Sequence, residues 1–265
     1  MNKIFLKIFI FSLAIIFINI VNAQKTFLRS DPYESYKVAQ ELFDKEKYSS
    51  AQYYFRDVIN KFDDPQDEVR INAEYYFAIC GLKLYHRNVE TILTRFSLDH
   101  PDHPKSKKIY FQLGKHYYQT KKFKKSIEFF EKVDQYDLSI DDQSEYLFKL
   151  GYSKFMKKNF SESKVIFNDL LQRKTDYTIP ATYYYSHIAY AEGKYQTALV
   201  GFRKIANNKM FKPIIPYYIT QILYQQNKYD ELIEYGPLYI DSVTEKRKGE
   251  FAKLIGDSYF KKNEY

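Results

Sequence analysis

Apolar and polar residues along this chain fall in helical spacing. Leu147, Leu150, Gly151 and Phe155 recur at intervals of three and four and so share one helix face, whereas no alternating run bounded by turn signals predicts a strand. A longer period is superimposed on this one. One copy reads Leu113-Gly114-x-x-Tyr117-Tyr118-x-x-x-x-Phe123-x-x-Ser126-x-x-x-Phe130, and another places Ser186, Ala189, Tyr190, Gly193, Tyr195, Ala198 and Phe202 in nearly the same order. The small residue returns about every 34 to 41 residues. A fixed period of this size predicts stacked helical units, each too small to bury its apolar face alone. Loop signals at Asp63-Asp64-Pro65, His100-Pro101-Asp102-His103-Pro104 and Phe211-Lys212-Pro213 separate the units. Asp31-Pro32 and Ile179-Pro180 place prolines where helices can begin, and Ser49-Ser50-Ala51-Gln52 reads as a capping box opening a second helix.

At these residues the chain resembles the tetratricopeptide repeat (TPR) family, a helix-turn-helix unit of 34 residues. The resemblance implies an all-α, right-handed superhelical solenoid of about six complete repeats and one partial repeat over residues 31–265. The repeats lie near 32–65, 73–104, 107–140, 144–177, 179–212, 213–244 and 249–265. In this register the small residue of the first helix is Ala39, Cys80, Gly114, Gly151, Ser186, Thr220 and Gly256. The aromatic opening the second helix is Tyr48, Phe123, Phe160, Tyr195, Tyr229 and Tyr265, with Val89 departing in repeat two. The small residue of the second helix is Ala51, Ser126, Ser163 and Ala198, replaced by Ile92 and Leu232 in repeats two and six. A large residue follows at Phe55, Phe96, Phe130, Phe167 and Phe202 and is replaced by Gly236. Gly236-Pro237 predicts an interrupted or kinked helix, because proline lacks the donor and crowds the preceding turn. The sequence stops midway through the seventh repeat, which reads as the N-terminal part of a longer protein or a truncated product.

In this family the first helices line a concave surface, so the resemblance implies that their fifth, ninth, twelfth and thirteenth positions face it. The fifth is Tyr36, Phe77, Phe111, Phe148, Tyr183 and Tyr217; the twelfth is Phe43, Leu84, Tyr118, Phe155, Tyr190, Tyr224 and Phe260. Two turns separate the two positions on one helix face. A groove lined by such rings suits an extended or helical peptide, although the same rings could fill space between repeats. The ninth position, Gln40, Gly81, Lys115, Tyr152, His187 and Gln221, reads as a wetted floor in which Lys115 favours an acidic or carboxylate-bearing peptide.

The N-terminal segment predicts that this array is exported. Lys3 and Lys7 precede an apolar run over residues 8 to 21, followed by Val21-Asn22-Ala23. This reads as a signal peptide over 1–23 cleaved after Ala23, with a linker over 24–30; a retained inner-membrane anchor is the alternative. The lone cysteine, Cys80, rules out both an internal disulfide and lipid attachment at the cleavage site. Abundant Ile, Lys, Asn, Tyr and Phe without Trp suggests an AT-rich bacterial source, hence a periplasmic or outer-membrane-associated protein.

Net charge is +8, and losing Lys3 and Lys7 with the leader takes it to +6. The excess is concentrated in Lys105, Lys107, Lys108, Lys115, Lys121, Lys122, Lys124 and Lys125, with no acid between Asp102 and Glu128. Export removes nucleic acid from the candidate partners and leaves an acidic protein, anionic lipid head groups or acidic glycan, against a solvated face that keeps the array soluble.

No phosphate-binding loop, zinc-type histidine pair or paired-cysteine motif is present, and no cofactor is expected. His100, Asp102 and His103 could share a metal but read as a solvated loop, and Asp141-Asp142 as helix caps. Cys80 occupies a packing position without a histidine to activate it. The residues therefore predict a non-enzymatic scaffold for a protein or peptide of the cell envelope. The alternative is a recruiting or regulatory arm of a larger envelope enzyme, secretion or motility machine.

Overall fold

The computed structural model describes residues 31–262; the leader, its cleavage site, the 24–30 linker and Tyr265 lie outside them. Every regular element among the described residues is helical. These are α1 Pro32–Asp44, α2 Tyr48–Lys61, α3 Glu68–Lys83, α4 Val89–Asp99, the short α5 Pro104–Lys107, α6 Ile109–Gln119, α7 Phe123–Phe130, α8 Ile140–Met156, α9 Phe160–Leu171, α10 Thr178–Ala191, α11 Tyr195–Ile205, α12 Ile215–Gln225, α13 Tyr229–Tyr239 and α14 Glu245–Lys261, with one 3-10 turn at Gln135–Asp137. Two compact units divide at residue 109. In the first, α1 to α4 pack in order and α1 also touches α3. In the second, α7 to α14 pack in order, and the first helices α8 and α10, and α12 and α14, touch directly. This is the helix-turn-helix repeat array that the periodicity predicts.

The tight turns share one backbone device. Glu46, Tyr85, Lys121, Lys158, Gly193 and Asn227, one in each complete repeat, have φ between 55° and 72°. Glu46 N–H donates to the Phe43 carbonyl at 2.9 Å and Lys47 N–H to the Leu42 carbonyl at 2.8 Å, and the other five turns repeat the same two bonds. These are Schellman caps, which satisfy the last carbonyls of the first helix. Only Gly193 and Asn227 are residue types that adopt this conformation readily, so the device is not visible in composition. It also places Lys47 at the start of α2, where no side chain caps the helix. Ser49 and Ser50 are therefore inside α2, and the expected capping box does not form. Ser139 caps α8 by accepting from Asp142 N–H at 3.2 Å. Asp141 and Asp142 are first-turn acids rather than caps.

Two aromatic pairs recur inside the repeats. The fifth-position ring packs on the large residue of its own second helix: Tyr36 on Phe55, Phe111 on Phe130, Phe148 on Phe167 and Tyr183 on Phe202, with centroids 5.9 to 6.2 Å apart. The twelfth-position ring packs on the aromatic opening the second helix: Phe43 on Tyr48, Tyr118 on Phe123, Phe155 on Phe160, Tyr190 on Tyr195 and Tyr224 on Tyr229, at 5.5 to 6.2 Å. Such pairs add about 0.5–1.5 kcal/mol each beyond area burial. Phe55, Phe130, Phe167 and Phe202 are completely buried and anchor the units. Between these pairs, Gly114 and Gly151 let the helices close. A Cβ on Gly114 would stand 2.4 Å from the Phe130 ring, and Ser126 and Ser163 donate hydroxyls to the Gly114 and Gly151 carbonyls at 3.0 and 2.8 Å.

Repeat two corrects the sequence register. Tyr75, not Phe77, packs on Phe96 (5.7 Å), and Tyr76 stacks on Phe55 (5.5 Å) as Tyr218 stacks on Phe202 (5.2 Å). The positive-φ residue Tyr85 lies four positions before Val89, whereas Lys121 lies two before Phe123. The turn is longer by two residues, so counting back from Val89 slides α3 by two. Leu84 and Val89, the non-aromatic departures, fall at this altered turn.

Repeat six carries the second correction. The helix α13 continues through Pro237 to Tyr239; the proline lacks the N–H that would bond the Ile233 carbonyl, but it is exposed and only two residues of helix follow it, so the helix ends there rather than being cut in its middle. Gly236 leaves room that Ile255 of α14 fills; a Cβ there would be 2.6 Å from Ile255 Cγ1. With Gly236 at the position that Phe167 holds in repeat four, Tyr217 has no counterpart to the Phe148–Phe167 pair, and the α13 rings Tyr235 and Tyr239 stack on each other at 4.4 Å instead.

Candidate partner-binding face

The first helices of the second unit present a connected sheet of rings. Tyr152 touches Tyr118 at 5.5 Å and Tyr184 at 5.1 Å; Tyr184 touches Phe155 at 5.0 Å; Phe155 touches His187 at 5.5 Å. His187 meets Tyr218 at 5.4 Å, and Tyr218 meets Tyr190 and Tyr217 at 5.4 and 5.6 Å. The network therefore runs from α6 to α12. Tyr184 and Tyr218, which the fifth and twelfth positions do not include, are the links between repeats; the doubled tyrosines Tyr183-Tyr184 and Tyr217-Tyr218 are their sequence trace.

The residues chosen from sequence divide by burial. Tyr118, Phe148, Tyr152, Phe155, Tyr183, His187, Tyr190, Tyr217 and Tyr224 are half-buried, and each keeps an accessible part. Phe111 is completely buried and offers a partner nothing. In the first unit, Tyr36, Phe43 and Phe77 are half-buried around a core containing Phe55 and Cys80. Burial pushes the phenols of Tyr36 and Tyr118 up to about 12, so both stay neutral.

Lys115 does not await an external acid. Its Nζ lies 2.8 Å from Glu145 Oε2, and Lys149 takes the other oxygen. Burial raises the Glu145 pKa, but the bonds from Lys115 and Lys149 outweigh it and hold the carboxyl below its ordinary value. Arg247 is the converse. Its guanidinium carbon sits 4.4 Å from the Tyr217 ring centre and 5.1 Å from that of Tyr218. Nη1 is buried without a hydrogen-bond partner, as is His187 Nδ1. Glu250, one turn from Arg247, is committed elsewhere: Tyr217 OH donates to one oxygen at 2.7 Å and Gln221 Nε2 to the other at 2.8 Å. Sequence register points away from Arg247, which precedes the seventh repeat as laid out.

The lysine block divides between the units. In the first, half-buried Lys105 sits over Tyr76 at 5.0 Å and bonds the Asn72 amide oxygen; Lys107 is exposed and Lys108 half-buried. Burial lowers the Lys105 pKa. In the second, Lys122 and Lys125 flank Tyr117 at 5.9 and 4.9 Å, and Lys121 and Lys124 are exposed.

Other candidate chemistry is absorbed into packing. His100 is buried and pairs with Glu74 at 3.1 Å, and His103 with Glu68 at 3.3 Å, so this segment is tied to α3 rather than solvated. Among the described residues no three His, Cys, Asp or Glu side chains are placed to share a metal. Burial raises the Cys80 thiol to about 12, far from a reactive thiolate. A cavity of about 560 Å³ between α9, α10 and α11 is lined by none of the residues selected from sequence for partner binding. Among the described residues no helix is long and apolar enough to cross a membrane.

No protein-family model matches the sequence, and no curated protein matches it. Solved structures do. A tetratricopeptide repeat protein from Parabacteroides merdae ATCC 43184 superposes with a TM-score of 0.54 at 12% identity, over 88% of this chain and 87% of that one. Nearly identical TPR-like repeats of kinesin-light-chain type from Podosopora anserina give 0.52 at 11% identity, over 68% and 99%. At such identities the likeness is one of fold, and the chain is a TPR-like helical repeat array.

Proposed function

We propose that this chain is an exported, non-enzymatic scaffold of the bacterial cell envelope that binds a protein or peptide along the first-helix face of its second unit. The connected rings from Tyr118 to Tyr217, half-buried except for the buried link Tyr218, carry this reading. Aromatic side chains supply large contact area at small entropic cost, and most of these are already held by ring packing, so little further ordering is needed on binding. The leader-like sequence over 1–23 supports export. The buried, protonated Cys80 and the carboxylate-paired His100 and His103 support a role without catalysis.

Two measurements test it. Sequencing the N terminus of the exported protein is expected to start at Gln24; retention of residues 1–23 would replace release with membrane anchoring. A capture from envelope extract is expected to lose its partner in a Tyr190→Ser, Tyr217→Ser, Tyr224→Ser variant whose circular dichroism is unchanged. Undiminished capture would move binding off this face. Charge reversal at Lys121, Lys122, Lys124 and Lys125 distinguishes the electrostatic alternative, for which capture would be lost and would depend on salt.

A further inference from the structure

The least satisfied polar groups on the ring face are concentrated where α10, α12 and α14 meet. Arg247 carries a full charge in a partly dry setting, yet among the described residues no acid lies within ion-pair distance and none accepts a hydrogen bond from its side chain, which rests on the Tyr217 and Tyr218 rings. Stacking of this kind is worth about 0.5–2 kcal/mol, and buried donors normally find an acceptor. His187 meets the same Tyr218 ring from α10 and holds a second buried nitrogen without a partner. Glu250, one turn further along α14, has both oxygens bound by Tyr217 and Gln221. The contrast with Lys115, held 2.8 Å from its own glutamate, is direct.

We infer that Arg247 and His187 form a binding site for a single carboxylate, presented by a ligand whose adjoining apolar group rests on Tyr190 and Tyr217. The inference rests on the reading of this face as the binding face and names the chemistry it recognises. A guanidinium offers two parallel N–H donors matched to the two oxygens of a carboxylate, and the imidazole adds a third if its Nδ1 carries the proton. Burial, and then the charge of Arg247, lower the His187 pKa, so the imidazole is neutral and the site bears one positive charge. One charge fits a monoanionic carboxylate better than a phosphate dianion. The missing ring at Gly236 is what makes the site: Ile255 takes that space, leaving Tyr217 to support Arg247.

The test titrates the full chain with N-acetylphenylalanine, with its C-terminal amide, and with an end-blocked peptide carrying one glutamate beside a phenylalanine. The guanidinium Nε–Hε resonance of Arg247 is followed by NMR. The acid is expected to shift that resonance saturably and the amide to leave it in place. Arg247→Gln should weaken acid binding by about tenfold or more with an unchanged melting temperature, the scale of a lost charge-assisted hydrogen bond. Arg247→Lys should recover part of it, and Lys115→Gln should leave it intact. Binding by the glutamate peptide as well would identify an internal acidic residue as a sufficient source; binding by the free terminus alone would identify a chain end. Equal binding of amide and acid, or full binding in Arg247→Gln, would overturn the inference. Envelope capture that survives Arg247→Gln but fails in the Tyr190, Tyr217, Tyr224 variant would also overturn it while leaving the scaffold reading intact.

Discussion

Repeats four and six differ at one structural position, and the difference changes what their first helices can do. In repeat four, Phe167 fills the space behind α8, Phe148 packs on it at 6.1 Å, and a Cβ on Gly151 would stand 3.0 Å from its ring. In repeat six, Gly236 stands in that place, Ile255 enters from α14, and Tyr217 turns to Arg247 and Glu250. The fourth repeat uses its rings for cohesion; the sixth releases one for contact. The lesson is that an irregular repeat can be a relocated function rather than a packing defect.

The largest test of this contrast is removal of the two filling groups. Phe167→Ala is expected to cost about 3–5 kcal/mol in urea denaturation, the range for emptying a fully buried aromatic site. Gly236→Ala should cost about 1–3 kcal/mol through the approach to Ile255, and Ile255→Ala should relieve part of it in the double variant. Additive effects of the two changes would show that Ile255 does not fill the Gly236 space.

Charge gives the next comparison. Lys115→Met should cost about 1–2 kcal/mol, since it leaves the half-buried Glu145 with Lys149 alone. Arg247→Met should lie within about 0.5 kcal/mol of zero, because the stacking that is lost is offset by removal of a buried donor without an acceptor and by the contact methionine keeps with the rings. Equal losses at the two sites would mean that Arg247 has a stabilising partner and is not held for a ligand.

Acid should weaken the region around α10 selectively. Because the folded His187 pKa lies below the ordinary 6.5, the unfolded chain takes up the proton first as pH falls. Stability from this group is therefore complete above about 6.5 and is lost as pH drops through the lowered folded value. Melting temperature measured between pH 7.5 and 5 should fall less steeply in His187→Gln than in the parent; parallel curves would contradict the assigned burial.

The smallest effect concerns the turns. Lys158 has φ 64° where Gly193 has 72°, so Lys158→Gly should stabilise by up to about 1 kcal/mol and Gly193→Ala should destabilise by a similar amount. These changes leave the ring contacts in place and so separate turn strain from the repeat-four and repeat-six contrast.

Much of the array was legible because its spacing reflects geometry. Gly114 and Gly151 lie where helices close, and the phenylalanines from Phe55 to Phe202 recur where a ring must fill the core. The displaced register of repeat two was harder to read, since two added turn residues move Phe77 out of the position that Tyr75 holds without leaving a glycine or proline to mark them. The capping box at Ser49 was misleading because the preceding Schellman cap determines where α2 begins. His100 looked like a loop residue until Glu74, 26 positions earlier, was found beside it.

By itself the sequence determined the all-helical repeat architecture and the aromatic supply of the first helices, because periodicity records which residues must share a face. Only the tertiary structure decided which rings are spent inside their own repeats, that Lys115 already has its glutamate, and that Arg247 meets no acid among the described residues. Those outcomes depend on which side chains from neighbouring helices reach one point in space, and no spacing along a single helix encodes that distance.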